Sequence, residues 1–202
     1  EILRFVNGEF SVNKQALERV NRVSGWREQP TVFMNSNGHI GLDQYWDAIR
    51  GLHQFRLKFS IEGLDADYER IRIGGSWKNF RKNLLHAKSL FDARNAEGAD
   101  WRLYLNYCVM RSNFQSLPDI AEFAVKHNIR LVLNTINGLR HSDENLFAYE
   151  WLRFDAETVD RIRGQCESIL SSEDYSFSRE SRLHLDYIIR AMRLPRLRIS
   201  PQ

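Results

Sequence analysis

Cysteine is scarce in this chain: Cys108 and Cys166 are the only two in 202 residues. They lie far apart and form no C-x-x-C pair, so a disulfide framework is not expected. Two thiolates are also too few to hold an iron–sulfur cluster or a structural zinc site. An excess of charge of one sign is missing as well. The 29 Lys+Arg face 26 Asp+Glu, a net charge of +3, too balanced to point to nucleic acid. The most basic stretch, Arg190, Arg193, Arg196 and Arg198, reads as the solvated face of a last helix. No apolar run is long enough to span a bilayer, and no charged-then-apolar signal segment opens the chain. The expectation is a cytoplasmic protein with neither a nucleic-acid nor a membrane partner.

Several catalytic signatures are absent too. His39, His53, His86, His127, His141 and His184 form neither H-x-H nor H-E-x-x-H, which argues against a zinc hydrolase. There is no G-x-S-x-G elbow, Walker loop or G-x-G-x-x-G. Gly74-Gly75 stands before a helix, where glycines sometimes cradle phosphate, but reads here as a turn.

What is present is ordinary globular material, 43% hydrophobic and 27% charged. Short apolar runs recur, each ending in turn chemistry: 2–6, 31–34, 55–61, 103–110 and 131–136. They are rich in β-branched and aromatic residues, as buried strands are. Amphipathic segments separate them, at 13–23, 42–52 and 76–93. The last is the strongest, with Trp77, Phe80, Leu84, Ala87 and Phe91 in one stripe and Ser76 as N-cap. That stripe reads as core, not as a stacking platform for bases. Ser116 to Asp119 reads as a capping box with Pro118 in the first turn. Alternating strands and helices predict an α/β fold with a parallel sheet and right-handed crossovers. After Asn137 the pattern changes to two helices, 155–170 and 178–194. The expected organisation is a parallel α/β domain over 1–140, which the family resemblance given below implies is a partial (β/α) barrel, and a C-terminal helical extension over 141–202.

Ligands of parallel α/β folds bind beyond the carboxyl ends of the strands. Those ends carry Asn7 and Glu9, Asn35 and Asn37, Ser60 and Glu62, Asn106 and Arg111, and Asn134 and Asn137. Any one of these reads as a turn residue. Five in a row point to a polar rim for a ligand. Ser60 and Asn106 stand inside otherwise apolar runs, where a buried polar group needs a partner.

Four of these segments together resemble the radical S-adenosylmethionine (SAM) superfamily. Phe5 to Phe10 resembles its second strand with a Gly-Gly-Glu-Pro motif. Thr31 to Gly38 resembles the third strand, Lys58 to Trp77 the fourth strand and its following turn, and Leu105 to Asn113 the fifth. The resemblance covers about two-thirds of the chain, and the closest branch resembles the peptide- and protein-modifying maturases. It implies that Gly8 and Glu9 contact the amino group of SAM. It further implies that Ser60 faces the cofactor, that Asn106 and Arg111 meet its ribose and carboxylate ends, and that Asn35 is a looser contact. His39, after the Asn-Gly turn, is a candidate substrate contact.

Two departures accompany the resemblance. Gly-Gly-Glu-Pro has become Asn7-Gly8-Glu9-Phe10, and the family's C-x-x-x-C-x-x-C motif for a [4Fe–4S] cluster is absent. Cys108 and Cys166 read as small buried apolar residues. The chain opens abruptly in a strand, so the expectation is a piece whose cysteine motif precedes Glu1. The implied function is the SAM-binding part of an enzyme that generates a 5′-deoxyadenosyl radical, acts on a peptide or protein, and is unable to turn over as this chain alone. Two alternatives stand beside it: a cluster-free barrel that binds a peptide or partner, and an unrelated parallel α/β enzyme.

Overall fold

The computed structural model describes residues 2–5, 9, 13–136, 144, 154–173 and 177–193. Five strands form one parallel sheet whose spatial order is the chain order: β1 (Ile2–Phe5), β2 (Thr31–Ser36), β3 (Gln54–Ile61), β4 (Asp100–Val109) and β5 (Arg130–Thr135). The helices are α1 (Lys14–Ser24), α2 (Trp46–Ile49), α3 (Asp65–Ile71), α4 (Trp77–Ala96), α5 (Leu117–Lys126), α6 (Ala156–Ser171) and α7 (Arg179–Ala191). The five expected strands and the principal helices are thus where the apolar periodicity placed them. Among the described residues, no helix is long and apolar enough to cross a membrane. The chain divides into two compact units, residues 1–60 with 74–105, and residues 61–73 with 106–202.

In the first unit, α1 begins where the Asn13 side chain accepts the Ala16 amide at 3.0 Å, satisfying one of the free donors of a helix start. Its buried residues are Ala16, Val20 and Val23. β2 alternates strictly, burying Val32, Met34 and Ser36, so the residues between them point the other way. Ser76 caps α4 by accepting the Asn79 amide at 3.4 Å. The stripe Trp77, Phe80, Leu84, Ala87 and Phe91 is buried as expected. Phe55, Phe91 and Trp101 form a mutual aromatic cluster with ring centroids 5.0 to 5.5 Å apart. Each buried ring contributes roughly 1.5–3 kcal/mol by leaving water. The Trp101 indole N–H meets the Leu52 carbonyl at 2.8 Å, so its one polar atom is not stranded.

In the second unit, α5 buries Leu117, Ile120, Ala121 and Ala124, α6 buries Val159, Ile162 and Cys166, and α7 buries Leu185, Ile188 and Ile189. The Ser181 hydroxyl accepts the Leu131 amide at 2.8 Å, tying α7 to β5. Arg190 pairs with Asp186 and Arg193 with Glu167, in keeping with a solvated helix face.

The structure corrects three local expectations. The helix expected over 42–52 is a 3₁₀ turn, Leu42–Tyr45, followed by the single turn of α2. Tyr45 sits at φ −132°, ψ 18° between them, outside helical geometry. The stretch after β3, expected to be only a turn, contains α3, anchored by fully buried Tyr68. Ser116 makes no capping bond. Its hydroxyl donates instead to the Asp67 carboxylate at 2.7 Å, so the capping box is not formed, although Pro118 does occupy the first turn of α5.

Candidate functional site

In the first unit the exit of β2 is built around Glu9. Its Oε1 accepts the Ser36 hydroxyl at 2.9 Å and its Oε2 accepts the Asn37 amide at 2.6 Å. The Ser36 oxygen in turn accepts the Gly38 amide at 3.0 Å. The Asn37 side chain accepts the His39 amide at 2.9 Å, an Asx turn. From α4, the Asn83 amide group donates to the Gly38 and His39 carbonyls at 2.9 and 3.1 Å. Gly38 takes φ +75°, and a Cβ there would sit 2.5 Å from Phe80 and 2.8 Å from Phe59. Only glycine fits both that backbone and that space. Tyr45 is buried, and burial followed by the charge of Glu9 pushes its hydroxyl well above the usual phenol range.

The predicted residues of this unit divide. Glu9 is half-buried and anchors the network. Asn35 is half-buried but shares a face with Thr31 and Phe33, opposite Ser36. Ser60 is half-buried, on the Lys58 side of β3, not enclosed as its apolar surroundings suggested. His39 has an exposed side chain, while its main chain is held as described. Gly8 lies outside the described residues.

Two residues were missed. Ser36 is 3% exposed and meets Glu9 directly. The signal was the two-residue alternation, which sets Ser36 on the face of Met34 and turns Asn35 away. Asn83 left no readable signal, since a polar residue on the outer side of a helix looks solvated.

In the second unit, Asn106 is half-buried and its Oδ1 accepts the side-chain amide of Asn134. Its partner is therefore protein. Arg111 is half-buried, and its main-chain amide donates to the Glu144 carbonyl at 3.2 Å. The neighbouring Ser112 amide donates to the Glu144 carboxylate at 2.8 Å. The centre of this region is Asn113, 1% exposed. Its side chain donates to the Glu62 and Cys108 carbonyls at 3.0 and 2.9 Å and accepts the Met110 amide at 2.7 Å. Its own carbonyl accepts the Tyr107 hydroxyl at 2.6 Å. Glu62 receives two guanidinium bonds from Arg72, one of them 2.8 Å from Nε.

Cys108 was expected to be buried and is half-buried, because it alternates with buried Tyr107 and Val109. Burial, then the charge of Glu62, raises its thiol pKa. Cys166 is fully buried, as expected, and burial pushes its thiol up to about 12. Among the described residues, no cluster of three His, Cys, Asp or Glu could hold a metal ion.

No family model matches the chain. No curated protein matches it. Among solved structures it is similar to SuiB of Streptococcus suis. A crystal structure of SuiB bound to S-adenosylmethionine gives a TM-score of 0.57, and a second crystal structure of SuiB gives 0.59. In both, the identity is 9% and the likeness covers 88% of this chain and 38% of the SuiB chain. At that identity the likeness shows the fold alone, an α/β arrangement around a parallel sheet.

Proposed function

We propose that this chain is the SAM-binding portion of a radical SAM-like partial barrel, acting in a longer protein on a peptide or protein substrate. The observation that carries this reading is the fold likeness to SuiB, solved with SAM bound, over 88% of this chain. The chemistry of the residues fits SAM. Glu9 is a carboxylate held in place at a strand end, suited to an α-ammonium group. Gly8, Asn35 and Ser60 are proposed to accompany it. Asn106 and Arg111 are proposed for the ribose and carboxylate ends, with His39 as a substrate contact. When bound, SAM supplies the adenosyl group on which radical chemistry of this class depends.

The cluster is a different matter. Two cysteines, Cys108 within a strand and Cys166 on a helix, do not make a ligand set for [4Fe–4S], which needs three or more thiolates in this role.

A second reading is favoured by one observation. Both oxygens of Glu9 are engaged by Ser36 and Asn37, as expected of a loop clasp in a cluster-free, peptide-binding relative. Titration calorimetry of the purified chain with SAM tests the first reading. Saturable binding that is weakened in Glu9→Gln and in Asn106→Ala supports a cofactor pocket. Absence of binding by the folded chain overturns it and favours the binding module.

A further inference from the structure

Register and alternation gather an unusual set of side chains on one face of the sheet within the first unit. Arg4 of β1 lies opposite Phe33 of β2, and Phe33 opposite Arg56 of β3. One step on, Asn35 lies opposite Lys58. From β4, Asp100, Arg102 and Tyr104 join the same face. Arg56 and Arg102 both donate to the Asp100 carboxylate, and Lys58 lies over the Tyr104 ring at 5.8 Å. The opposite face carries Phe55, Phe59 and Trp101, and it receives Phe80 and Phe91 of α4.

The charges on the polar face do not balance. Four cations, Arg4, Arg56, Lys58 and Arg102, stand against one acid, Asp100. That acid is already shared. Burial pushes its pKa up, but hydrogen bonds from Arg56 and then Arg102 more than offset this and leave it below the usual carboxylate range. Arg4 and Lys58 have no carboxylate partner among the described residues. Arg4 lies over the Phe33 ring at 5.4 Å, as Lys58 lies over Tyr104. Lys58 is half-buried and Arg4 is exposed. A ring offsets the lost hydration of a cation less fully than an anion does. A sheet face arranged this way holds a positive potential and draws anions to it.

We infer that this face docks an acidic, extended segment of the peptide substrate, with Arg4 and Lys58 as its carboxylate contacts. The two stand on strands separated by β2 and are offset by one step, which places their Cα atoms roughly 10–12 Å apart from strand spacing and rise. Carboxylates at positions i and i+2 of an extended peptide project from one side about 7 Å apart. Two long, flexible side chains close that difference. The inference deepens the substrate part of the reading above and rests on it, but it does not depend on SAM.

The test is fluorescence anisotropy of the full chain with a labelled peptide of alternating Glu and Thr, beside a matched peptide of alternating Gln and Thr. The Glu peptide is expected to bind at least roughly tenfold more tightly, the size of one charge-assisted contact. Lys58→Gln and Arg4→Gln are each expected to weaken it several-fold. Lys82→Gln, on the exposed side of α4, is expected to change nothing. Equal binding of the two peptides overturns the proposal, and so does a loss in Lys82→Gln as large as in Lys58→Gln. The peptide comparison stands even if a sheet variant does not fold. SAM calorimetry on the same preparation separates the two ideas. SAM binding with no peptide preference sinks this inference alone, and peptide preference without SAM binding sinks the cofactor reading alone.

Discussion

The carboxylate of Glu9 takes the main-chain amide of Asn37 at 2.6 Å, so a residue after β1 fixes the conformation of the turn after β2. Removing the carboxylate leaves the Asn37 amide and the Ser36 hydroxyl without their charged acceptor. Glu9→Ala is expected to cost about 1–3 kcal/mol of stability, measured by urea unfolding. Glu9→Gln keeps the shape and one acceptor, so it is expected to retain most of that stability while losing SAM affinity in calorimetry. A Glu9→Gln chain that is both stable and undiminished in SAM binding would leave Glu9 as a clasp only.

Gly38 is the tightest point of the same turn. An alanine there must take φ near +75° and place its Cβ within 2.8 Å of two aromatic rings. The left-handed backbone and the overpacking together are expected to cost about 2–4 kcal/mol. A urea midpoint unchanged in Gly38→Ala would show that Phe80 and Phe59 yield freely.

Asn113 closes the turn after β4 with three side-chain hydrogen bonds. Asn113→Ala strands two buried carbonyls and an amide, at a cost of about 2–4 kcal/mol. Asn113→Asp offers two acceptors to a site that needs two donors and one acceptor, and is expected to be no better. Thermal unfolding of the two variants checks this.

The two cysteines differ in access. Cys166 is buried with its thiol pushed up to about 12, while Cys108 is half-buried with a smaller rise. Reaction requires thiolate. A thiol reagent at pH 8 is therefore expected to label Cys108 slowly and Cys166 only on unfolding, read by peptide mapping.

Acid acts on this fold with both signs. The Ser116 hydroxyl and then the Arg70 guanidinium hold Asp67 below the ordinary carboxylate value of 3.8. Its stabilising contribution is present above that value and is lost as pH falls through the lowered one. Burial, then Glu122 and Asp67, raise Asp119. Its ionised form opposes folding, a penalty that sets in as pH rises from 3.8 through the raised folded value. Asp119→Asn is expected to raise the thermal midpoint at pH 7 and to lose that advantage below about pH 4. A constant difference across pH would show that Asp119 is not the titrating group.

Much of the sheet was legible because strand signals here are local: an apolar run, then an Asn or Gly. The stripe of α4 was legible for the same reason, since its five apolar residues fall on one side of a 3.6-residue period. What escaped depends on partners distant in sequence. Ser116 reads as a cap until Asp67, 49 positions earlier, is seen to take its hydroxyl. Tyr68 anchors α3 without any capping side chain to announce the helix. Asn113 sits in a turn, where asparagine is common for its backbone alone, and nothing local distinguishes the one that bridges Glu62 and Cys108. Asn35 and Ser36 are neighbours of equal polarity. Only the phase of the strand, set by Val32 and Met34, decides which of them meets Glu9.

The order of the sheet has a consequence for how the chain comes together. Because β1 to β5 lie side by side in chain order, no strand waits for a later segment to be threaded between it and its neighbour. Each strand emerging from a ribosome finds its docking edge already made, and assembly can advance along the polypeptide in the direction of synthesis. Long-range pairings slow folding because loop closure must precede their reward. Here every such closure joins strands that are consecutive in the chain.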